Sequence, residues 1–158
     1  MDALQRLVDI EELRNLKARY FRLLDTKDWD GLATVFSPDA IFDLREVNSV
    51  RNPATGVWKP PYDGDDEVYR GREAVMKMIR DAALVRTTIH HGHMGEIEIT
   101  AHDTARGIWA MADIVMDAPG VEAALNMRGA GHYHDTYVRL AHGWAIQTTR
   151  ITRLILER

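Results

Sequence analysis

The spacing of apolar residues changes once along this chain, from a helical period near the start to alternation in the last part. From Leu4 to Leu24 apolar residues recur every three or four positions without an intervening Gly or Pro, which predicts an amphipathic helix. Asp28 suits the N-cap of a second, short helix running to Phe36, which Ser37-Pro38 ends. A third helix is expected after the run Tyr69–Glu73.

From Thr87 onwards apolar and polar residues alternate, and turn residues recur at regular intervals, which is typical of strands joined by hairpins. Besides a short strand at 40–44, the pattern predicts long strands at 88–100, 104–116, 121–140 (bending at Gly129 or Gly131) and 144–156. Helices followed by an antiparallel meander favour an α+β fold with helices on one face of a curved sheet. The length of 158 residues predicts one domain over 1–158.

Residues 48–66 form the longest irregular stretch, an insertion in which Pro53, Pro60 and Pro61 accompany Trp58. Ordered loops of this length are often lids or binding loops, and Trp58 would then contact a substrate. The alternative is a mobile insertion without a role in binding. The sequence leaves both interpretations open.

Composition excludes several classes of function. The 20 Lys and Arg against 24 Asp and Glu, without a basic cluster, argue against a nucleic-acid partner. No apolar run reaches the length of a membrane span and the N-terminus lacks signal-peptide features, so we expect no membrane partner and a cytoplasmic location. Without cysteine or a glycine-rich phosphate loop, no thiolate chemistry and no cofactor are predicted.

Seven histidines are the main source of chemistry, and they are densest at His90, His91 and His93. Regular alternation puts His91 and His93 on one face of a strand with Ile97, and His90 on the other. All three cannot converge on a metal, so no metal site is predicted. A bulge at Gly92 or Gly95 would change which histidine faces the core, and alternation alone does not select among them.

Acid–base catalysis needs only one histidine and a partner that orients its ring. Asp25 is the best candidate partner, because the end of a helix can direct a carboxylate between helices and sheet. The bland alternative is a solvated terminal aspartate. Arg150 and Arg153 on the last strand would need an anionic or electronegative partner if they pointed inward.

Several segments resemble the SnoaL-like branch of the nuclear-transport-factor-2-like superfamily. They are 18–25, 29–32, 36–40, 69–74, 88–91, 137–139 and 143–146. The resemblance is closest to the group of scytalone dehydratase, γ-hexachlorocyclohexane dehydrochlorinase and bile-acid dehydratase. It implies a cone of helices around a strongly curved, mainly antiparallel sheet that encloses an apolar pocket.

The same resemblance implies roles for individual residues. Asp25 and His90 correspond to the catalytic dyad, Tyr20 to an assisting tyrosine, and Arg150 most nearly to a terminal-strand arginine. The candidate substrate-binding residues are His91, Trp109, Met127, His132 and Trp58.

The predicted function is therefore a cofactor-independent lyase that performs a dehydratase-like elimination on a cyclic, hydrophobic small molecule. An isomerase or polyketide cyclase on the same fold is one alternative, since both also abstract a proton beside a carbonyl. A ligand-binding protein or a dioxygenase β-like subunit is the non-catalytic alternative. The exposed face of a curved sheet further predicts a homodimer or homotrimer.

Overall fold

The computed structural model describes residues 2–57, 67–121 and 126–158, and within them three helices and six strands. The helices are α1 (Ala3–Asp25), α2 (Trp29–Ala33) and α3 (Arg72–Ala83). The strands are β1 (Phe36–Asp43), β2 (Val68–Arg70), β3 (Arg86–Ile99), β4 (Thr104–Asp117), β5 (Met127–Leu140) and β6 (Gly143–Glu157). None of these helices is both long and apolar enough to cross a membrane.

The strands form one sheet in the order β2-β1-β6-β5-β4-β3, in which only β1 and β6 run parallel. The antiparallel meander from β3 to β6 confirms the predicted arrangement of the last half of the chain. The α+β class with helices packed on a curved sheet is likewise confirmed. α1 packs across the sheet with Leu13, Leu16 and Tyr20 buried beneath it.

The predicted second helix is too long, because the chain enters the sheet earlier than the sequence suggests. α2 ends at Ala33, and Phe36 already pairs with Ile146 of β6. The register between β1 and β6 then shifts between Phe36 and Ile41. Pro38 lies in this interval, and because proline has no N–H to donate, it interrupts the hydrogen-bond ladder between β1 and β6. It does not end the helix, which already stops at Ala33. The three-residue strand β2 is also absent from the sequence-based prediction.

The face of the sheet that α1 covers, here called the inner face, is marked by the paired residues Trp109, Tyr133 and Ile151. On β3 the register shifts between Gly92, opposite Met111, and Gly95, opposite Trp109. Three steps on β3 thus span two steps on β4, and the additional residue is a β-bulge. The bulge reverses the alternation, so that His90 and Ile97 both belong to the inner face.

Because Gly92 has no side chain, the end of α1 can pack directly against β3 at this position. A Cβ at this position would lie 2.2 Å from Cε2 of Phe21, closer than any carbon contact allows. The ring of Phe21 therefore packs directly on the backbone of β3, and this fixes the distance between helix and strand.

Substituting Gly92→Ala should force this contact apart and lower the free energy of unfolding by about 1–3 kcal/mol. Chemical denaturation measures the loss, and His91→Ala at the neighbouring exposed position is the matched control, expected to change stability by less than about 0.5 kcal/mol. Equal stability of the Gly92→Ala protein and the wild type would contradict this packing.

Candidate active site

The carboxylate of Asp25, at the last position of α1, meets His90 of β3. Its Oδ1 lies 2.6 Å from Nδ1 of His90, and its Oδ2 accepts a hydrogen bond from the His90 backbone N–H at 2.8 Å. The hydroxyl of Thr88 donates to Oδ1 at 2.9 Å. Helix end and strand are therefore joined through one carboxylate.

The hydrogen bonds that Asp25 accepts determine its ionisation and the position of a proton on the His90 ring. Burial raises the pKa of Asp25, but the hydrogen bonds from His90 and Thr88 lower it by more, so the carboxyl has a pKa below its usual range. An ionised carboxylate only accepts hydrogen bonds, so His90 must carry a proton on Nδ1. No hydrogen bond to Nε2 is found among the described residues.

The helical period of α1 brings an aromatic ring to the same histidine. Phe21 and Asp25 are four residues apart and share one side of the helix. The Phe21 ring stacks on the imidazole of His90 with an interplanar angle of 13° and a centroid distance of 6.3 Å. Only 9% of the His90 side chain and 22% of the Asp25 side chain are exposed, so the pair is screened from water but accessible.

Tyr20 and Tyr133 place two hydroxyl groups within the same interior. The two buried rings meet edge to face with centroids 5.9 Å apart, and their hydroxyls interact with each other. Burial raises the pKa of both phenols, and the carboxylate of Asp113 acts in the same direction. Both residues therefore keep their protons and can serve as hydrogen-bond donors.

A buried ion pair lies beside His90 on the inner face. Asp113 is directly opposite His90 in the β3–β4 register. Its two carboxylate oxygens accept hydrogen bonds from Nη1 and Nη2 of Arg153 at 2.7 and 2.8 Å. The Arg153 Nε is buried and has no hydrogen-bond partner among the described residues. The guanidinium of Arg153 fits here because position 129 is a glycine, and a Cβ there would lie only 2.6 Å from Arg153 Nη1.

The structure places the other candidate arginine elsewhere. Arg150 pairs with His134, the residue that follows the inner-face residue Tyr133 on β5. Arg150 therefore belongs to the opposite face of the sheet, here called the outer face. Its guanidinium donates to Glu46 at 2.6 Å. Of the two arginines on the last strand, Arg153 accompanies the Asp25–His90 pair and Arg150 does not.

The candidate substrate-binding residues divide between the two faces. His91 and His132 lie on the outer face, away from the Asp25–His90 pair. Trp109 lies on the inner face, where its Nε1 donates to the Tyr137 hydroxyl at 2.7 Å. Met127 is half-buried on the inner face at the start of β5. Trp58 and residues 59–66 of the predicted insertion lie outside the described residues.

A second buried ion pair was not anticipated from the sequence. Nζ of Lys17 donates to Oδ2 of Asp135 at 2.7 Å, and it lies 3.7 Å from the centroid of the Tyr133 ring. Burial lowers the pKa of Lys17, and Asp135 opposes this. The sequence contains one signal for this pair, because Lys17 lies on the apolar stripe of α1 between Leu16 and Tyr20. A charged residue buried at such a position requires a partner of opposite charge.

The outer face carries a groove of about 870 Å³, lined among others by Ile108, His134 and Arg150. It does not reach the Asp25–His90 pair. Its arginines are already occupied, Arg106 by Glu98 and Arg150 by Glu46. Among the residues placed by the structure, no cluster of three His, Asp or Glu side chains could hold a metal ion. The Asp25–His90 pair is therefore the better candidate for catalysis, although neither residue lines this groove.

The helices over a curved sheet, with the Asp25–His90 pair between them, define a cone-shaped α+β protein. The sequence matches the SnoaL-like domain over residues 5–150, and the chain belongs to this family. A relative from Gibberella zeae, named "Probable cyclase FGR4", is 24% identical over 143 residues that span 90% of this chain and 89% of the relative.

Solved structures share the fold. The hexachlorocyclohexane dehydrochlorinase LinA-type3 from Novosphingobium barchaimii superposes with a TM-score of 0.74 at 17% identity, over 99% of this chain and 93% of that one. A scytalone-dehydratase-like protein from Novosphingobium aromaticivorans gives a TM-score of 0.71 at 18% identity, over 96% and 88% of the two chains. This likeness establishes the cone-shaped fold.

The lowered pKa of Asp25 makes stability depend on pH in the acid range. A carboxyl with a depressed folded pKa stabilises the fold fully above its unfolded pKa of about 3.9, and this contribution is lost as pH falls through the folded value. Asp25→Asn should unfold about 2 kcal/mol more easily at neutral pH and show a shallower decline in acid. Denaturation midpoints between pH 7 and pH 2 measure both effects, and parallel curves for the two proteins would contradict them.

Proposed function

We propose that this protein is a cofactor-independent lyase that eliminates water, or a comparable leaving group, from a cyclic hydrophobic small molecule. The observation that carries the proposal is the 2.6 Å contact between Asp25 Oδ1 and His90 Nδ1, with Nε2 left without a partner among the described residues. A histidine held in this way is suited to act as a general base through Nε2.

In the proposed reaction, Nε2 of His90 removes a proton from a carbon beside a carbonyl group. The electron pair of the broken C–H bond becomes the second bond of the new alkene, and the C–O bond breaks with its electrons going to oxygen. The imidazolium then returns its proton to the departing hydroxide, so that water leaves and His90 is neutral again. Asp25 supports this cycle because an ionised carboxylate stabilises the transient imidazolium.

Tyr20 would polarise a substrate oxygen without giving up its proton. Its raised pKa makes it a poor acid but leaves the O–H available as a hydrogen-bond donor. Arg153 is a cation on the inner face whose partner Asp113 lies opposite His90, and its Nε, which has no partner among the described residues, could bind a substrate oxygen or the departing group. We therefore assign to Arg153 the role that the family resemblance had placed at Arg150.

An isomerase or cyclase is the second candidate, and the similarity to a relative named as a cyclase favours it. Proton abstraction by His90 would be the same, but the proton would return to carbon and no group would leave. Mass spectrometry of the product separates the two reactions, because elimination of water lowers the mass and isomerisation does not.

Replacing His90→Gln should lower turnover by about 10²–10⁴-fold, the usual contribution of a positioned general base. Turnover is followed by liquid chromatography and mass spectrometry on a panel of cyclic β-hydroxycarbonyl compounds. His91→Gln is the matched control, since this neighbour lies on the outer face, and it should retain full activity. A His90→Gln protein with wild-type turnover on a compound that the wild type converts would refute the proposal.

The two arginines of β6 give a separate test of the site. Arg150→Gln should leave KM and kcat unchanged, because its side chain lies on the other face. Removing Arg153 alone would leave Asp113 buried without a partner, at a cost of about 3–5 kcal/mol. The double substitution Asp113→Leu with Arg153→Met removes both charges, so it should fold and yet lose activity. Full activity in this double variant would exclude the pair from the reaction.

A further inference from the structure

Lys27 occupies a backbone position that ordinarily belongs to glycine. The Asp28 N–H donates to the Leu23 carbonyl at 3.0 Å, and the Lys27 N–H to the Leu24 carbonyl at 3.2 Å. These two bonds form a Schellman motif at the end of α1, whose residue after the C-cap adopts a left-handed conformation. Lys27 has a φ of 60°, and it is the one non-glycine residue with positive φ in the described part of the chain. A side chain there is strained.

The strained position directs the lysine side chain to the Asp25–His90 pair. Nζ of Lys27 lies 2.7 Å from the Thr88 hydroxyl oxygen, and this hydroxyl lies 2.9 Å from Oδ1 of Asp25. An ammonium group can only donate and an ionised carboxylate can only accept. The direction of both hydrogen bonds is thereby fixed. Lys27 donates to the Thr88 hydroxyl oxygen, and the hydroxyl donates its one hydrogen to Asp25.

We propose that Lys27 and Thr88 are positioning residues of the Asp25–His90 pair, which orient the ionised carboxylate so that His90 keeps its proton on Nδ1 and directs Nε2 toward the substrate. The inference rests on the proposed function of that pair. Oδ1 of Asp25 accepts from both Thr88 and His90, so the hydroxyl fixes the rotation of the carboxylate about its bond to the chain. Lys27 in turn orients the hydroxyl and adds a positive charge beside it.

The charge around the pair supports an influence of Lys27 on it. Burial lowers the pKa of Lys27, and the negative charge of Asp25 opposes this. Other titratable or charged groups face the pair or Lys27 from each neighbouring element, and they are Tyr20 of α1, Arg80 of α3 across the Trp29 ring, Asp113 of β4, Tyr133 of β5 and Arg153 of β6. Of these, Asp113 and Arg153 neutralise each other.

A purely structural role for Lys27 leads to the opposite expectation. If the residue only ended the helix, Lys27→Gly would relieve the strain and leave the catalytic pair unchanged. The proposed role predicts that the same substitution keeps or raises the thermal unfolding midpoint and still weakens catalysis. This variant therefore separates the two roles without the risk of an unfolded protein.

The test compares four variants of the full chain: Lys27→Gly, Lys27→Arg, Thr88→Val and Thr88→Ser. Two readouts need no substrate. Carbon-13 NMR of the Asp25 carboxyl should show a higher pKa in Lys27→Gly and Thr88→Val, because a donor and a cation are lost. Nitrogen-15 NMR of His90 should show a loss of the fixed Nδ1-protonated tautomer in the same two variants. Lys27→Arg and Thr88→Ser, which keep the cation and the hydroxyl, should resemble the wild type in both.

Turnover is the third readout. Lys27→Gly and Thr88→Val should lower kcat by about tenfold with little change in KM, since misorientation of a catalytic group affects the chemical step. Unchanged NMR signatures in both variants would overturn the inference even if His90→Gln abolishes activity. Altered signatures together with an active His90→Gln protein would instead overturn the proposed function, while Lys27 and Thr88 would still be shown to position the pair.

Discussion

The Asp25 carboxylate joins the end of α1 to β3 through hydrogen bonds from Thr88 and from the side chain and backbone of His90. These bonds span more than sixty residues of sequence, since Asp25 and His90 are 65 positions apart. The depressed pKa of Asp25 means that the contact is strongest when the carboxyl is ionised. Helix docking and the orientation of the candidate base consequently depend on the same group, and a change that weakens one weakens the other.

The interior between α1 and the sheet contains charged side chains that are almost fully buried. Lys17 with Asp135 and Arg153 with Asp113 are both buried ion pairs. Replacing such pairs by apolar residues is often neutral or stabilising, so stability alone does not explain why they are present. Fixed charges beside a reacting group that is shielded from water can stabilise a transition state. Under the proposed function, the Arg153–Asp113 pair opposite His90 would have this effect.

Much of this arrangement follows from local sequence, and the rest depends on contacts between distant residues. The period of α1 and the alternation after Thr87 predict the helix and the four long strands. Alternation fails to select His90, because one bulge residue between Gly92 and Gly95 reverses the faces of β3. The family resemblance implies a pairing of Asp25 with His90 and a role for Arg150, whereas the β5–β6 register puts Arg150 on the outer face and Arg153 on the inner face. Lys17 was missed because its partner Asp135 is 118 residues away.

The bulge in β3 also affects how this sheet meets other molecules. β3 is an outermost strand, and an edge of this kind exposes unpaired backbone groups that can template growth by further strands. The additional residue between Gly92 and Gly95 breaks the regular spacing of those groups near the middle of the strand, where Met94 is 94% exposed. A straight strand arriving from a neighbouring molecule would lose register there, so the local irregularity that turns His90 inward also protects the free edge against aggregation.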